Sequence, residues 1–275
     1  MTQKIPKILH FCCFNYEGGK KLPDRVQYCM RSWKQHCADW TWRQWTLDTY
    51  NVQKNNLTRA YAEQKKWNLL SDYVRFHMLY EEGGIYVDWD VELLKPLNDM
   101  LQYDAFFAIE GSKRQSIQTG FFGAVKGHPL MKESLERMQA DFNKFQGMRV
   151  SQIAPDHLTD IILSYGTFPG MLEGLKNVRV FDTIHSAPIS PNHMDHLMSM
   201  KRRGVSDSKY ISLLRKVFPF SDNTYAVHWY MNSWVRTWTP EGERRPRRRR
   251  QILGELLMKK IILPIYNRID RYLSY

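Results

Sequence analysis

The apolar positions along the chain change period several times, and each change marks an element. IPKILHFCCF (5–14) is a short, nearly continuous apolar run with Pro6 at its start, the pattern of a strand buried on both faces. The turn-rich NYEGGKKLP follows. In DRVQYCMRSWKQHC (24–37) Val26, Cys29, Met30 and Trp33 recur at helical spacing, with Asp24 as N-cap. WTWRQWTL (40–47) alternates and is aromatic, which predicts a second strand. Residues 58–82 read as helix in two segments, stopped by Gly83-Gly84. IYVDWDVELL (85–94) then reads as a strand that runs out into polar residues. Further strands are predicted at 104–110, 119–125 and 177–181, and a helix at 130–145. The 184–224 stretch is rich in loop residues, with one helical segment near 207–217, and YAVHWYMNSW (225–234) closes the folded body. Strands alternating with helices predict an α/β domain with a central, mainly parallel sheet. Ligands of such sheets bind beyond the carboxyl ends of the strands.

That edge is where Asp88 and Asp90 fall. Side chains two apart on a strand point the same way, so both carboxylates address one point while Trp89 faces the other side. Hard oxygen ligands at this spacing suit Mn²⁺ or Mg²⁺, which leave positions open for phosphate oxygens. A solvated loop with two acids has the same spacing. On the preceding helix Asp72 and Arg75 stand at i and i+3 and share a face. They form either a surface ion pair or a carboxylate for sugar hydroxyls steadied by a guanidinium.

Composition agrees with a folded body: 43% of the residues are hydrophobic and 13% aromatic, too many for a disordered chain. The four cysteines (Cys12, Cys13, Cys29, Cys37) form no C-x-x-C pair and are too few for a disulfide scaffold, so reduced thiols and a cytosolic compartment are expected. MTQKIPKILHF shows no long apolar signal region, and no apolar run reaches the roughly 18 residues of a spanning helix.

Together the motifs are more specific than apart. S-D-x-x-R (71–75), then G-G-I-Y-x-D-x-D-V (83–91), then L-K-P-L (94–97) resembles the DXD sugar-transferase family. That family includes bacterial capsular polysaccharide transferases, the yeast outer-chain mannosyltransferase and the catalytic domains of the large clostridial toxins. IPKILHF, TGFFGAVKGHP and YAVHWYMNSW extend the resemblance over residues 4–234.

The resemblance implies a single domain of the GT-A fold over 1–240 and a metal-dependent retaining transfer of a hexose. The donor would be a nucleoside diphosphate sugar, a UDP-sugar by expectation, and the acceptor a glycan or lipid-linked glycan in bacterial polysaccharide synthesis. It makes Asp90 a direct metal ligand and has Asp88 reach the metal through water or the donor ribose. His228 becomes the third ligand. Asp72 and Arg75 would bind the donor sugar with Tyr86 nearby, and Ser233 and Trp234 would close over the diphosphate. Gln118 stands where relatives often carry asparagine near the anomeric carbon. Cys13 stands where relatives carry a tryptophan that stacks on uracil, so Phe11, Trp40 or Trp42 would have to replace that ring. Glu110 and Asp156 are candidate carboxylate nucleophiles or ordinary loop acids. A catalytically silent relative acting as a basic adaptor is the alternative. A phosphoryl transferase would need a Gly-rich phosphate loop, which is absent from the sequence.

Charge is concentrated at one end. Residues 241–275 hold ten Lys or Arg against four acids, half of the formal net charge of +12. A basic cluster at 244–250 precedes Ile252, Leu253, Leu256, Leu257, Ile261 and Ile262 at amphipathic-helix spacing, interrupted by Pro264. Such a tail suits an anionic membrane surface, here through 244–273, which would set the protein peripherally on the cytoplasmic face of the cell membrane. A helix packed on the body is the other reading. No base-reading or stacking module is recognisable, so nucleic acid is not an expected partner.

Overall fold

Apolar residues on both faces of the central strands require cover on both sides, and a three-layer α/β fold supplies it. The computed structural model describes residues 3–14, 22–110, 116–145, 151–167, 169–172, 174–186, 215 and 220–229. Ser233, Trp234, the 241–275 tail and all of the 207–217 segment but Arg215 lie outside them.

The chain opens with β1 (Ile8–Cys12), α1 (Asp24–His36) and β2 (Thr41–Trp45). Asp24 lies in the first turn of α1 and Pro23 takes the cap position, one residue earlier than expected. The long helical stretch is two helices, α2 (Asn56–Glu63) and α3 (Trp67–Glu82), as the pattern predicts. They are separated at Lys65, whose φ is 53°. β3 (Gly84–Val87) and β4 (Val91–Leu93) follow, then β5 (Ala105–Glu110), β6 (Ser116–Ile117), β7 (Phe121–Ala124) and α4 (Pro129–Phe145). The described chain ends with α5 (Ala154–Ser164), β8 (Gly170–Met171), β9 (Val178–Phe181), α6 (Thr183–Ser186) and β10 (Ala226–His228).

The main sheet has the order β2-β1-β3-β7-β5-β9-β8, with β6 on β5. β1 is parallel to β2 and β3, and β5 is parallel to β9. β7 runs antiparallel between β3 and β5. Five strands, β1, β2, β3, β5 and β9, therefore share one direction, which is the mainly parallel sheet the sequence predicts. The β5-to-β7 connection is too short for a crossover helix, so the chain must return antiparallel. That return brings the start of β7 to the edge where β3 ends.

Alternation sorts the side chains. Leu9, Phe11, Ile85, Val87, Phe106 and Phe121 join the core under α1, while Tyr86, Phe107 and Phe122 join the core under α3, α4 and α5. Gly84 (φ 117°) begins β3 because a Cβ there would lie 2.6 Å from the Ile8 carbonyl oxygen. All four cysteines are buried free thiols. No described helix is long and apolar enough to cross a membrane.

Candidate active site

The predicted strand 85–94 is broken. β3 ends at Val87, and the Val91 N–H donates to the Asp88 carbonyl at 2.9 Å, closing a turn over Asp88-Trp89-Asp90 before β4 begins. The carboxylates thus converge through a turn rather than through strand alternation, and Trp89 is buried in the α1-side core. The Asp88 N–H donates to the Gly120 carbonyl at 2.8 Å, which fixes the end of β3 against the start of β7.

His228 arrives from far along the chain. β10 pairs antiparallel with β4, placing His228 opposite Val91, and the Trp229 N–H donates to the Asp90 carbonyl at 3.0 Å. His228 Nε2 lies 3.2 Å from Asp90 Oδ1 and 3.8 Å from Asp88 Oδ2. One ligand atom from each of the three residues lies within 4.8 Å of the others. Burial opposes charge on His228, but Asp90 and then Asp88 and Glu110 favour it, and its pKa is raised. Glu110 ends β5.

Two carboxylates and an imidazole suit a small divalent cation. The backbone leaves room for one. Gly120 faces the cluster, and a Cβ there would sit 2.9 Å from Asp88 Oδ2 and 3.0 Å from His228 Nδ1. Asp88, Asp90 and His228 thus form a group that could hold a metal ion.

Behind Asp88 lies a buried polar hub. Arg75 is 6% exposed. Its Nη2 faces Asp72 Oδ1 at 3.1 Å and Asp88 Oδ1 at 3.5 Å. Its Nη1 donates to the Thr119 carbonyl at 2.6 Å and to Thr119 Oγ1 at 3.3 Å, and its Nε to the Ser71 carbonyl at 3.2 Å. The guanidinium also lies 4.8 Å from the Tyr86 ring centroid, and the Tyr86 hydroxyl donates to Asp88 Oδ1 at 2.8 Å. Burial opposes the Arg75 charge, but Asp88, Tyr86 and Asp72 outweigh it and hold its pKa up. Burial raises Asp72 to about 6, against the pull of Arg75. The Tyr86 hydroxyl is held well above its ordinary value, first by burial.

The other wall is stapled by α1. Trp33 Nε1 donates to the Val91 carbonyl at 2.8 Å, the Leu93 N–H donates to Ser32 Oγ at 2.9 Å, and the Tyr28 hydroxyl donates to Glu92 at 2.8 Å. Glu92 also pairs with Arg215, and burial raises its pKa. Sequence reading missed this support, because helix-to-strand side-chain bonds leave no local spacing.

Several expectations are corrected. Phe11 is 2% exposed and packs 5.2 Å from Trp33, because alternation on β1 turns it into the core. Trp40 is also buried, and Trp42 donates to the Cys37 carbonyl beside Trp33. Neither Phe11 nor Trp40 offers an open ring to a base. Tyr86 is 1% exposed with its hydroxyl on Asp88, so it backs the site rather than lining it. Gln118 is fully buried at the β6–β7 joint, its N–H on the Ala108 carbonyl, which leaves its amide no exposed face for substrate. Asp156 lies in the first turn of α5 and accepts from the Ile153 N–H, a capping role. Trp229 is core. Ser233 and Trp234 lie outside the described residues.

The family match falls on the same segment. Residues 23–107 match the family described as glycosyltransferase sugar-binding region containing DXD motif. Inositol phosphoceramide mannosyltransferase 3 of Schizosaccharomyces pombe is 32% identical over 87 residues, covering 32% of this chain and 21% of that protein. Human alpha-1,4-N-acetylglucosaminyltransferase is 31% identical over 88 residues, covering 32% of this chain and 24% of that protein. The chain thus matches about a quarter or less of these relatives' length. Among solved structures, the PaToxG glycosyltransferase superposes with a TM-score of 0.45 at 15% identity, covering 59% of this chain and 70% of that one. The segment that carries Asp72, Arg75, Asp88 and Asp90 is thus similar to the DXD-containing sugar-binding region of glycosyltransferases.

Proposed function

We propose that the protein is a metal-dependent, retaining glycosyltransferase. It moves a hexose from a nucleoside diphosphate sugar, a UDP-sugar by preference, to a glycan acceptor. The observation that carries this reading is the convergence of Asp88, Asp90 and His228 at the carboxyl edge of the sheet. When bound, Mn²⁺ or Mg²⁺ would supply a Lewis acid for the negative charge of the departing diphosphate. Asp90 and His228 would hold that cation from the β4–β10 wall, and Asp88 from the end of β3. Ligation would require His228 as the neutral imidazole. Asp72, 13% exposed at its side chain, would be the carboxylate of the hub that accepts from sugar hydroxyls. No carboxylate is assigned as a covalent nucleophile, and a same-face displacement without a glycosyl-enzyme intermediate is the preferred course.

The acceptor side rests on the basic tail. A lipid-linked glycan at the cytoplasmic membrane face, as in bacterial capsule synthesis, would bring the acceptor to where a basic amphipathic 241–275 tail binds. The test is calorimetric titration of UDP and of GDP, with and without Mn²⁺, into the wild type and Asp90→Ala. Metal-dependent binding of one nucleotide, weakened at least 100-fold in the variant, is expected. Binding of neither nucleotide would overturn the transferase reading in favour of a silent adaptor.

A further inference from the structure

Asp88 uses its two oxygens differently. Oδ1 accepts from the Tyr86 hydroxyl at 2.8 Å and faces Arg75 Nη2 at 3.5 Å. Oδ2 faces the other way, toward His228 Nε2 at 3.8 Å and the space above Gly120. A carboxylate with both oxygens free would rotate about its last bond and offer either to a cation. Here Oδ1 is committed to the protein.

The groups that commit it have little else to do. Tyr86 is 1% exposed, so its hydroxyl has no open path to a substrate. Arg75 turns every nitrogen to an oxygen of the protein: Ser71, Thr119, Asp72 and Asp88. A guanidinium has no acceptor and no further donors once these are satisfied. Its charge has a second effect. It offsets one of the three carboxylates of Asp72, Asp88 and Asp90, leaving a local balance that one divalent cation can neutralise.

We propose that Tyr86 and Arg75 are positioning residues that act through Asp88, fixing Oδ1 so that Oδ2 is the oxygen presented to the cation. This assigns them a place behind the ligands and not on the donor sugar, and it rests on the reading of Asp88, Asp90 and His228 as a metal site. Groups that orient a metal ligand commonly contribute 10–100-fold to metal affinity.

The experiment is a Mn²⁺ titration without nucleotide, followed by the electron paramagnetic resonance signal of free Mn²⁺, on the wild type, Tyr86→Phe and Asp90→Ala. Thermal melts are recorded alongside. Tyr86→Phe removes one oxygen and keeps the ring that packs on Phe122 and Arg75. A loss of about tenfold in Mn²⁺ affinity, with the melt shifted by no more than a few degrees, is expected. A purely structural tyrosine would move the melt and leave the affinity alone. Unchanged affinity in Tyr86→Phe beside a weakened Asp90→Ala would overturn the inference and leave the metal site standing. Equal behaviour of wild type and Asp90→Ala would overturn the metal site itself, and the inference with it. Arg75→Lys keeps the charge without the fork and carries the same test should Tyr86→Phe not fold. Wild-type affinity in Arg75→Lys would then overturn the proposal.

Discussion

Asp88 and Asp90 are separated by one residue, yet they are held by different means. Asp88 is steadied by charge, through Arg75, Tyr86 and the Thr119 backbone. Asp90 and His228 belong to the β4–β10 wall, which α1 fastens mainly with neutral hydrogen bonds, Trp33 donating to the Val91 carbonyl and Ser32 accepting from the Leu93 N–H, with the apolar core beneath and the Glu92–Arg215 pair farther along β4. The difference teaches how each wall should fail. A buried ion pair is costly to break, because the partner left behind keeps its charge without its compensation. A staple of neutral bonds gives way in smaller steps.

Arg75→Leu should have the largest effect, leaving Asp72 and Asp88 uncompensated and costing about 3–5 kcal/mol in urea denaturation. A loss under about 1 kcal/mol would mean the hub is not the support of its wall. On the other wall, Trp33→Phe keeps most of the buried ring but leaves the Val91 carbonyl without its donor, and should cost about 1–3 kcal/mol. Parity of the two variants in the same urea series would erase the distinction between the walls.

A pH series separates them more finely. His128 and His77 belong to neither wall and are buried, and burial lowers each to about 4. Well above pH 6.5, from about pH 8, both are neutral folded and unfolded, so they contribute nothing to the pH dependence there. As pH falls toward 4, the unfolded chain takes protons that the folded chain refuses, and stability is lost, roughly 1–2 kcal/mol per histidine by pH 5. Asp72 works the other way. Burial raises it to about 6, so the fold takes its proton first and gains stability from this group as pH falls from about 6 toward 4. Asp72→Asn should therefore steepen the acid loss, and His128→Gln should flatten it, when urea midpoints are compared between pH 7 and pH 5.

How much of this was legible in the sequence follows from distance along the chain. The i, i+3 pair Asp72–Arg75 and the D-x-D spacing are local, and the structure brings them together. The strands themselves were legible in their apolar runs, but their order in the sheet, with β7 between β3 and β5, was not. The turn over Asp88–Asp90 was hidden because strand alternation and a tight turn both bring every second residue to one side here. The Thr119 carbonyl that fills Arg75 is backbone and has no residue signature. His228 came from resemblance alone, since the β4–β10 register joins distant segments that no periodicity connects. Phe11 was misplaced for want of knowing which face of β1 was covered. α5 had readable signals, Pro155 in the first turn and Asp156 in a capping position before Leu158, Ile161 and Ile162, but the segment was not predicted as a helix.

The buried thiols have a practical side. Cys29 and Cys37 are fully buried, Cys12 and Cys13 nearly so, and burial pushes Cys13 and Cys37 up to about 12 and Cys12 higher still. The thiolate is the form that reacts with maleimides and iodoacetamides, and these sites hold almost none of it near neutrality. A cysteine introduced at an exposed position, such as Leu163 on α5, would then be modified selectively against an unaltered native background. Fluorescent or spin labels could be attached in this way without first stripping the chain of its own sulfur.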